Sequence, residues 1–257
     1  MKDQASRADE FRRLHVPGNP AIIFNAWDAG SACAIAEAGA SAIGTGSWSV
    51  AAAHGFPDGE KMPLELAIAN LERIVRAVDL PVSIDLEAGY GPRPEDVAHS
   101  VTLSIRAGAI GINLEDGLAD EHGIRDIANQ VARIRAARTA AEQLSVPLFI
   151  NARTDFFLQA DPARRDDSLV VAVKERAAAY EAAGASGLFV PGIVDAGQIR
   201  EVCASTPLPV NVMMLPSLAR RSELARLGVA RISYGPGPYR AAMSFVERTA
   251  REAFAGG

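Results

Sequence analysis

Residues 104–117, SIRAGAIGINLEDG, read as three pieces in a row. An amphipathic helix closes at Gly108, a residue suited to a left-handed C-cap. A short apolar strand follows and ends in acidic side chains. The phrase returns at 34–47 (AIAEAGASAIGTGS), 180–192 (YEAAGASGLFVPG) and 224–237 (LARLGVARISYGPG), with Gly39, Gly184 and Gly228 as the stops. Between these units lie strands introduced by Leu-Pro or Val-Pro, in DLPVSIDLEAG (79–89), SVPLFINARTD (145–155) and PLPVNVMML (207–215). Proline at a strand's first position loses no ladder hydrogen bond.

The pattern predicts eight strands, at 21–28, 41–46, 81–87, 110–115, 147–153, 187–191, 208–214 and 230–234. Helices separate them, and one more follows the last. Strands apolar throughout, alternating with helices, form a parallel sheet covered on its outer face. Eight such units in 257 residues match a closed (β/α)8 TIM barrel, an α/β fold, as a single domain over 1–257. An open doubly wound sheet fits less well, because the first strand runs into FNAWDAGSA and not a G-x-G-x-x-G turn. A helix over 3–14 precedes the barrel and is expected to pack across it.

A net charge of -5 with only 6% aromatic residues excludes a basic, base-stacking surface, so nucleic acid is not an expected partner. Cys33 and Cys203, far apart and each in a helical segment, read as small buried hydrophobes. The opening MKDQASRADEFRR has no apolar stretch of signal-peptide type, and no run is long enough to cross a bilayer. The expectation is a cytoplasmic protein with no membrane partner.

In such barrels chemistry gathers at the C-terminal strand ends. Residues two apart on a strand point the same way, so Asp85 and Glu87 are expected to converge, and Glu115 from the next strand joins them. Three carboxylates with no Lys or His in their strands point to a hard divalent cation such as Mg²⁺. The competing reading has each acid capping a helix or pairing with an arginine. Arg153 needs an anion: a substrate carboxylate or phosphonate, or a salt bridge to Asp155, Glu115 or Asp116. Backbone N–H groups of the Gly44-Thr45-Gly46-Ser47 turn suit an oxyanion.

GTGSWSVAAAHGFPD, SIDLEAGYG, GINLEDG and INARTD together resemble the isocitrate lyase/phosphoenolpyruvate mutase superfamily, and the resemblance covers nearly the whole chain. It implies a (β/α)8 barrel that binds Mg²⁺ or Mn²⁺ and a small 2-keto or 2-hydroxy acid, making or breaking a C–C or C–P bond through a pyruvate-enolate-like species. It implies a homodimer or homotetramer that exchanges the last helix between subunits. By the same resemblance Asp85 ligates the metal directly, Glu87 and Glu115 hold it through waters, and Asp58 lies near its shell. Thr45, Gly46 and Ser47 bind the substrate carboxylate, Arg153 grips its anionic groups, and Asn211 is a polar pocket residue.

The chain also departs from the family. Where the lyases carry a loop with a catalytic Cys and the mutases a Lys and an Asn, residues 115–130 read EDGLADEHGIRDIANQ, with neither Cys nor Lys. Where the family often has a His or a Glu, Phe189-Val190-Pro191-Gly192 has neither. His122 and Arg125 are the loop's candidates for a proton or a positive charge, against a plain exposed-histidine reading of His122; His54 near the mouth reads as a loop hydrogen-bonder. The expected function is a Mg²⁺-dependent carbon–carbon lyase of a small 2-keto or 2-hydroxy dicarboxylate, by decarboxylation or retro-aldol cleavage. The alternatives are C–P chemistry of the phosphonopyruvate hydrolase or phosphoenolpyruvate mutase type, or a non-catalytic barrel that binds metal and keto acid.

Overall fold

The glycine stops fall where the sequence puts them. In the computed structural model, which describes residues 3–118 and 122–255, Gly39, Gly108, Gly184 and Gly228 have φ of 93°, 101°, 99° and 94°. Each hands the chain to a strand: β3 (Ile43–Thr45), β5 (Gly111–Glu115), β7 (Gly187–Val190) and β9 (Arg231–Ser233). The proline-led strands are β4 (Val82–Asp85), β6 (Phe149–Arg153) and β8 (Val210–Met213). Pro81 and Pro209 still serve the sheet as acceptors, from Ile43 N and Leu188 N.

The expected first strand, 21–28, is shorter and broken at Phe24 into β1 (Ala21–Ile23) and β2 (Asn25–Ala26). β1 pairs with β9 and β2 with β3, so the all-parallel sheet runs round to meet itself at the break. The (β/α)8 barrel follows. Trp27 and Asp28 lie outside the strand, and Asp28 caps α2 (Ala29–Glu37) in a capping box with Ser31.

The main crossovers are α2, α4 (Leu64–Ala77), α5 (Pro94–Arg106), α6 (Ile127–Gln143), α8 (Asp167–Ala182), α9 (Ala196–Ala204) and α10 (Arg221–Arg226). Two strand ends add short helices, α3 (Ser47–Ala53) and α7 (Phe156–Gln159), and α11 (Gly237–Ala255) ends the fold. Ile112, Leu114, Ile150 and Val190 face Val97, Val101, Ile134 and Val173 of the helices in one core. The alternate residues, among them Ser83, Asn113, Asn151 and Arg231, are buried inside the barrel.

The opening helix, α1 (Gln4–Leu14), lies across the barrel as expected. Gln4 Nε2 donates to Ile105 O and Ala109 O, each at 2.8 Å, and Arg7 pairs with Asp79. Phe11 and His15 enter the barrel against Phe149, with His15 stacked on the Phe149 ring at 4.1 Å between centroids. Arg231 lies over Phe11, 5.9 Å from its ring centroid, and donates from Nε to Ser233 Oγ. Among the described residues no helix is long and apolar enough to cross a membrane.

Candidate active site

Asp85 ends β4, and the turn after β3 is built around it. Ser47 N and Ser47 Oγ donate to Asp85 Oδ2 at 3.0 and 2.9 Å, and Asp85 N donates to Thr45 Oγ1 at 2.9 Å. Gly46 N is bonded to Ala26 O. The turn that the sequence offers as an oxyanion cradle thus directs two of its N–H groups elsewhere, one of them onto the protein's own carboxylate. Asp85 Oδ1 meets the Asn113 amide at 3.5 Å, too far to be satisfied by it.

Glu87 departs from the sequence expectation of alternate residues on one strand. β4 stops at Asp85, and Glu87 follows with φ of 50°. Leu86 N reaches Asn113 O and Glu87 O accepts from Glu115 N, so the chain stays tied to β5 while it turns. Glu87 Oε2 accepts from Glu60 N at 2.6 Å and Oε1 from the Tyr90 hydroxyl at 3.3 Å. Burial, with the charges of Asp58 and Asp85, pushes its carboxyl up to about 7 against the Glu60 hydrogen bond. From behind, fully buried Arg133 of α6 donates to Ala88 O and Gly91 O and pins the turn.

Glu115 and Arg153 end adjacent strands in register. Arg153 Nη1 lies 2.7 Å from Glu115 Oε2, and Nε and Nη2 reach the two Asp155 oxygens at 2.5 and 3.0 Å. Burial raises the Glu115 carboxyl well above the usual range and Arg153 opposes it. Burial also works against the arginine's charge, but Glu115 and Asp155 outweigh it and hold the guanidinium protonated. Asp155 N donates to Asp116 Oδ1, and fully buried Asp116 accepts from Tyr180 Oη at 2.7 Å and Arg176 Nη1 at 3.2 Å. Arg176 Nη2 also holds Arg125 O, fastening the loop after β5 from its far side.

The remaining expected residues are spread more widely. Asp58 lies on the loop before α4, its carboxyl raised by burial and then by Asp85. Asn211 is fully buried inside the barrel and bonded to Ser233 Oγ at 3.0 Å. His54 caps α3, with Nδ1 2.8 Å from Val50 O. His122 is exposed, and residues 119–121 of the same loop lie outside those described. Glu60, Tyr90, Arg133, Tyr180 and Arg176 are absent from the sequence reading; Asp116, offered there as a partner for Arg153, pairs instead with Arg176.

Asp85, Glu87, Thr45, Ser47 and Tyr90 line one small cavity. No three His, Cys, Asp or Glu side chains among the described residues enclose an ion by themselves. The donor set instead offers Asp85 Oδ1, engaged only by the long Asn113 contact, beside acids that are partly held in hydrogen bonds and an ion pair. That fits a cation that takes one or two carboxylates and keeps several waters, as Mg²⁺ does.

The family profile of phosphoenolpyruvate phosphomutase matches residues 11–254. The chain belongs to that family. A Burkholderia cenocepacia J2315 protein provisionally named a phosphonomutase is 52% identical, and its crystal structure superposes with a TM-score of 0.95 over 98% of this chain and 100% of its own. The 2-methylisocitrate lyase of Escherichia coli K12 is 31% identical over 214 residues, 78% of this chain and 67% of its own length. The oxaloacetate decarboxylase of Ectopseudomonas mendocina ymp is 31% identical over 207 residues, 77% of this chain and 67% of its own. Membership in the superfamily, and with it the expectation of a lyase/mutase-type enzyme, holds.

Proposed function

We propose that this family member is a Mg²⁺- or Mn²⁺-dependent lyase that cleaves a carbon–carbon bond in a small 2-keto or 2-hydroxy dicarboxylic acid. One observation carries the reading: Asp85, whose Oδ1 takes only a 3.5 Å contact, stands among Asp58, Glu87 and Glu115 beside the guanidinium of Arg153. The 31% identical 2-methylisocitrate lyase and oxaloacetate decarboxylase support the bond type.

A bound divalent ion supplies electrophilic polarisation of a keto acid's carbonyl and carboxylate. Asp85, oriented by Ser47, would hold it directly, and Glu87, Glu115 and Asp58 would hold its waters. Arg153 draws the substrate's carboxylate to the mouth and stabilises charge as the bond breaks. Asn211, through Ser233, keeps the pocket floor polar. Decarboxylation suits these parts, because carbon dioxide leaves without a base, whereas retro-aldol cleavage needs an acceptor for a hydroxyl proton, a task for which His122 in the loop is the candidate.

C–P chemistry is the second reading, favoured by the 52% identical protein provisionally named a phosphonomutase. Assays of oxaloacetate, substituted malates and phosphonopyruvate, with and without EDTA, separate the two by the product released. Turnover indifferent to EDTA, or an Asp85→Ala variant with full metal-dependent activity, overturns the metal role.

The exposed face of α11, with Phe245, Val246 and Phe254 at 57%, 54% and 86%, supports an assembly of more than one copy. Beside it runs a groove of about 790 Å³ lined by Ile22, Phe24, Trp27 and Ile35. We take that groove as the seat of α11 from a second copy of the chain.

A further inference from the structure

Three residues without a glycine's freedom sit in left-handed backbone around the site: Glu60 at φ 60°, Glu87 at 50° and Tyr90 at 58°. Each placement is strained and persists only where surroundings over-determine it. The three are bonded to one another. Glu60 N donates to Glu87 Oε2 at 2.6 Å, Tyr90 N donates to Glu60 Oε1 at 2.6 Å, and Tyr90 Oη donates to Glu87 Oε1 at 3.3 Å. The result is a closed ring in which Glu60 grips the Glu87 turn by backbone and side chain together.

We propose that Glu60 is the positioning residue for Glu87, locking the turn after β4 so that the Glu87 carboxylate faces the cation site beside Asp85. The proposal rests on the metal reading given above and adds a residue that does not itself touch the ion. The lock is separable from the fold. The segment carrying Glu60 is anchored independently by Met62, 2% exposed and packed with Val50, Ala51 and Ala67. The Glu87 turn is held from behind by Arg133. Loss of the Glu60 side chain therefore releases Tyr90 N, and with it the Tyr90 hydroxyl that reaches Glu87 Oε1, so the Glu87 carboxylate is aimed by Glu60 N alone while both segments stay in place.

Calorimetric titration of the purified full chain with MgCl₂, without substrate, tests this on the wild type, Glu60→Ala, Glu60→Gln and Asp85→Ala. Hydrogen exchange of the Tyr90 amide is followed in parallel. Glutamine keeps the oxygen that accepts from Tyr90 N, and alanine removes it. Glu60→Ala is expected to weaken Mg²⁺ binding about tenfold or more, and Glu60→Gln to stay within about threefold of wild type. Tyr90 amide exchange is expected to accelerate about tenfold in the alanine variant only, with the unfolding midpoint moved by no more than about 2 °C.

If Glu60→Ala binds like wild type while Asp85→Ala does not bind, the positioning role is overturned and the metal reading stands. If Glu60→Gln weakens as much as Glu60→Ala with the Tyr90 amide still protected, net charge and not placement is at work, and the proposal fails. Wild type that takes up no Mg²⁺, or Asp85→Ala that binds equally well, overturns the metal reading itself and the positioning role with it.

Discussion

Arg153 Nη1 and Glu115 Oε2 stand 2.7 Å apart at directly opposed positions of β6 and β5, with Asp155 on the other side of the guanidinium. The arginine that the sequence offers to a substrate is therefore held between two of the protein's own carboxylates. Both alternatives read from the sequence meet in one residue: an internal salt bridge aims the group proposed to receive an external anion.

Arg153→Ala leaves two buried acids, Glu115 and Asp155, without their shared counter-charge. The expected loss is about 3 kcal/mol in urea unfolding, together with a drop of about 100-fold or more in kcat/KM. Glu115→Gln added to Arg153→Ala restores part of the stability and none of the activity. Additive losses in that double-mutant cycle would show that the two side chains are not coupled.

Tyr180→Phe removes the 2.7 Å donor to fully buried Asp116. Asp116 Oδ2 keeps its bond from Arg176, so denaturant unfolding should register the loss of one buried hydrogen bond, about 1 kcal/mol. Because Asp116 also receives Asp155 N, which positions the partner of Arg153, KM should rise more than kcat falls.

His15 sets a pH dependence. Burial and the nearby charge of Arg231 push its imidazole down to about 3 from an ordinary 6.5. Between those values the unfolded chain binds a proton that the folded chain does not, so this contribution is complete above pH 6.5 and is lost progressively toward pH 3. Urea midpoints measured from pH 7 to 4 should fall less steeply in His15→Met than in wild type. Identical slopes would remove His15 from the account.

Phe245→Asp with Val246→Asp places charge on the exposed face of α11. Sedimentation should show a smaller species than wild type, with the far-ultraviolet circular dichroism unchanged. A wild-type chain that already sediments as a monomer would dismiss the exchanged helix.

The fold was legible because its punctuation is local. A glycine stop, a proline start and an apolar run can each be read without knowing what lies across the barrel. The strand ends were legible for the same reason, which brought Asp85, Glu115 and Arg153 onto the page. The break at Phe24 was not, since it reflects closure against β9 and β3, which are distant in sequence. Nor was the left-handed Glu87, because that backbone depends on Glu60 and Arg133 arriving from two other segments and on Tyr90 closing the same turn. A carboxylate two residues from another looks like strand alternation until tertiary contacts turn it aside.

Helix α1 gives the barrel a floor. With Phe11 and His15 packed on Phe149 at one end of the strands, the scaffold is a cup and not a tube. Trimming the first sixteen residues would therefore do more than shorten the chain: it would let water rise through the middle and dilute, from below, the field on which the acids and Arg153 depend.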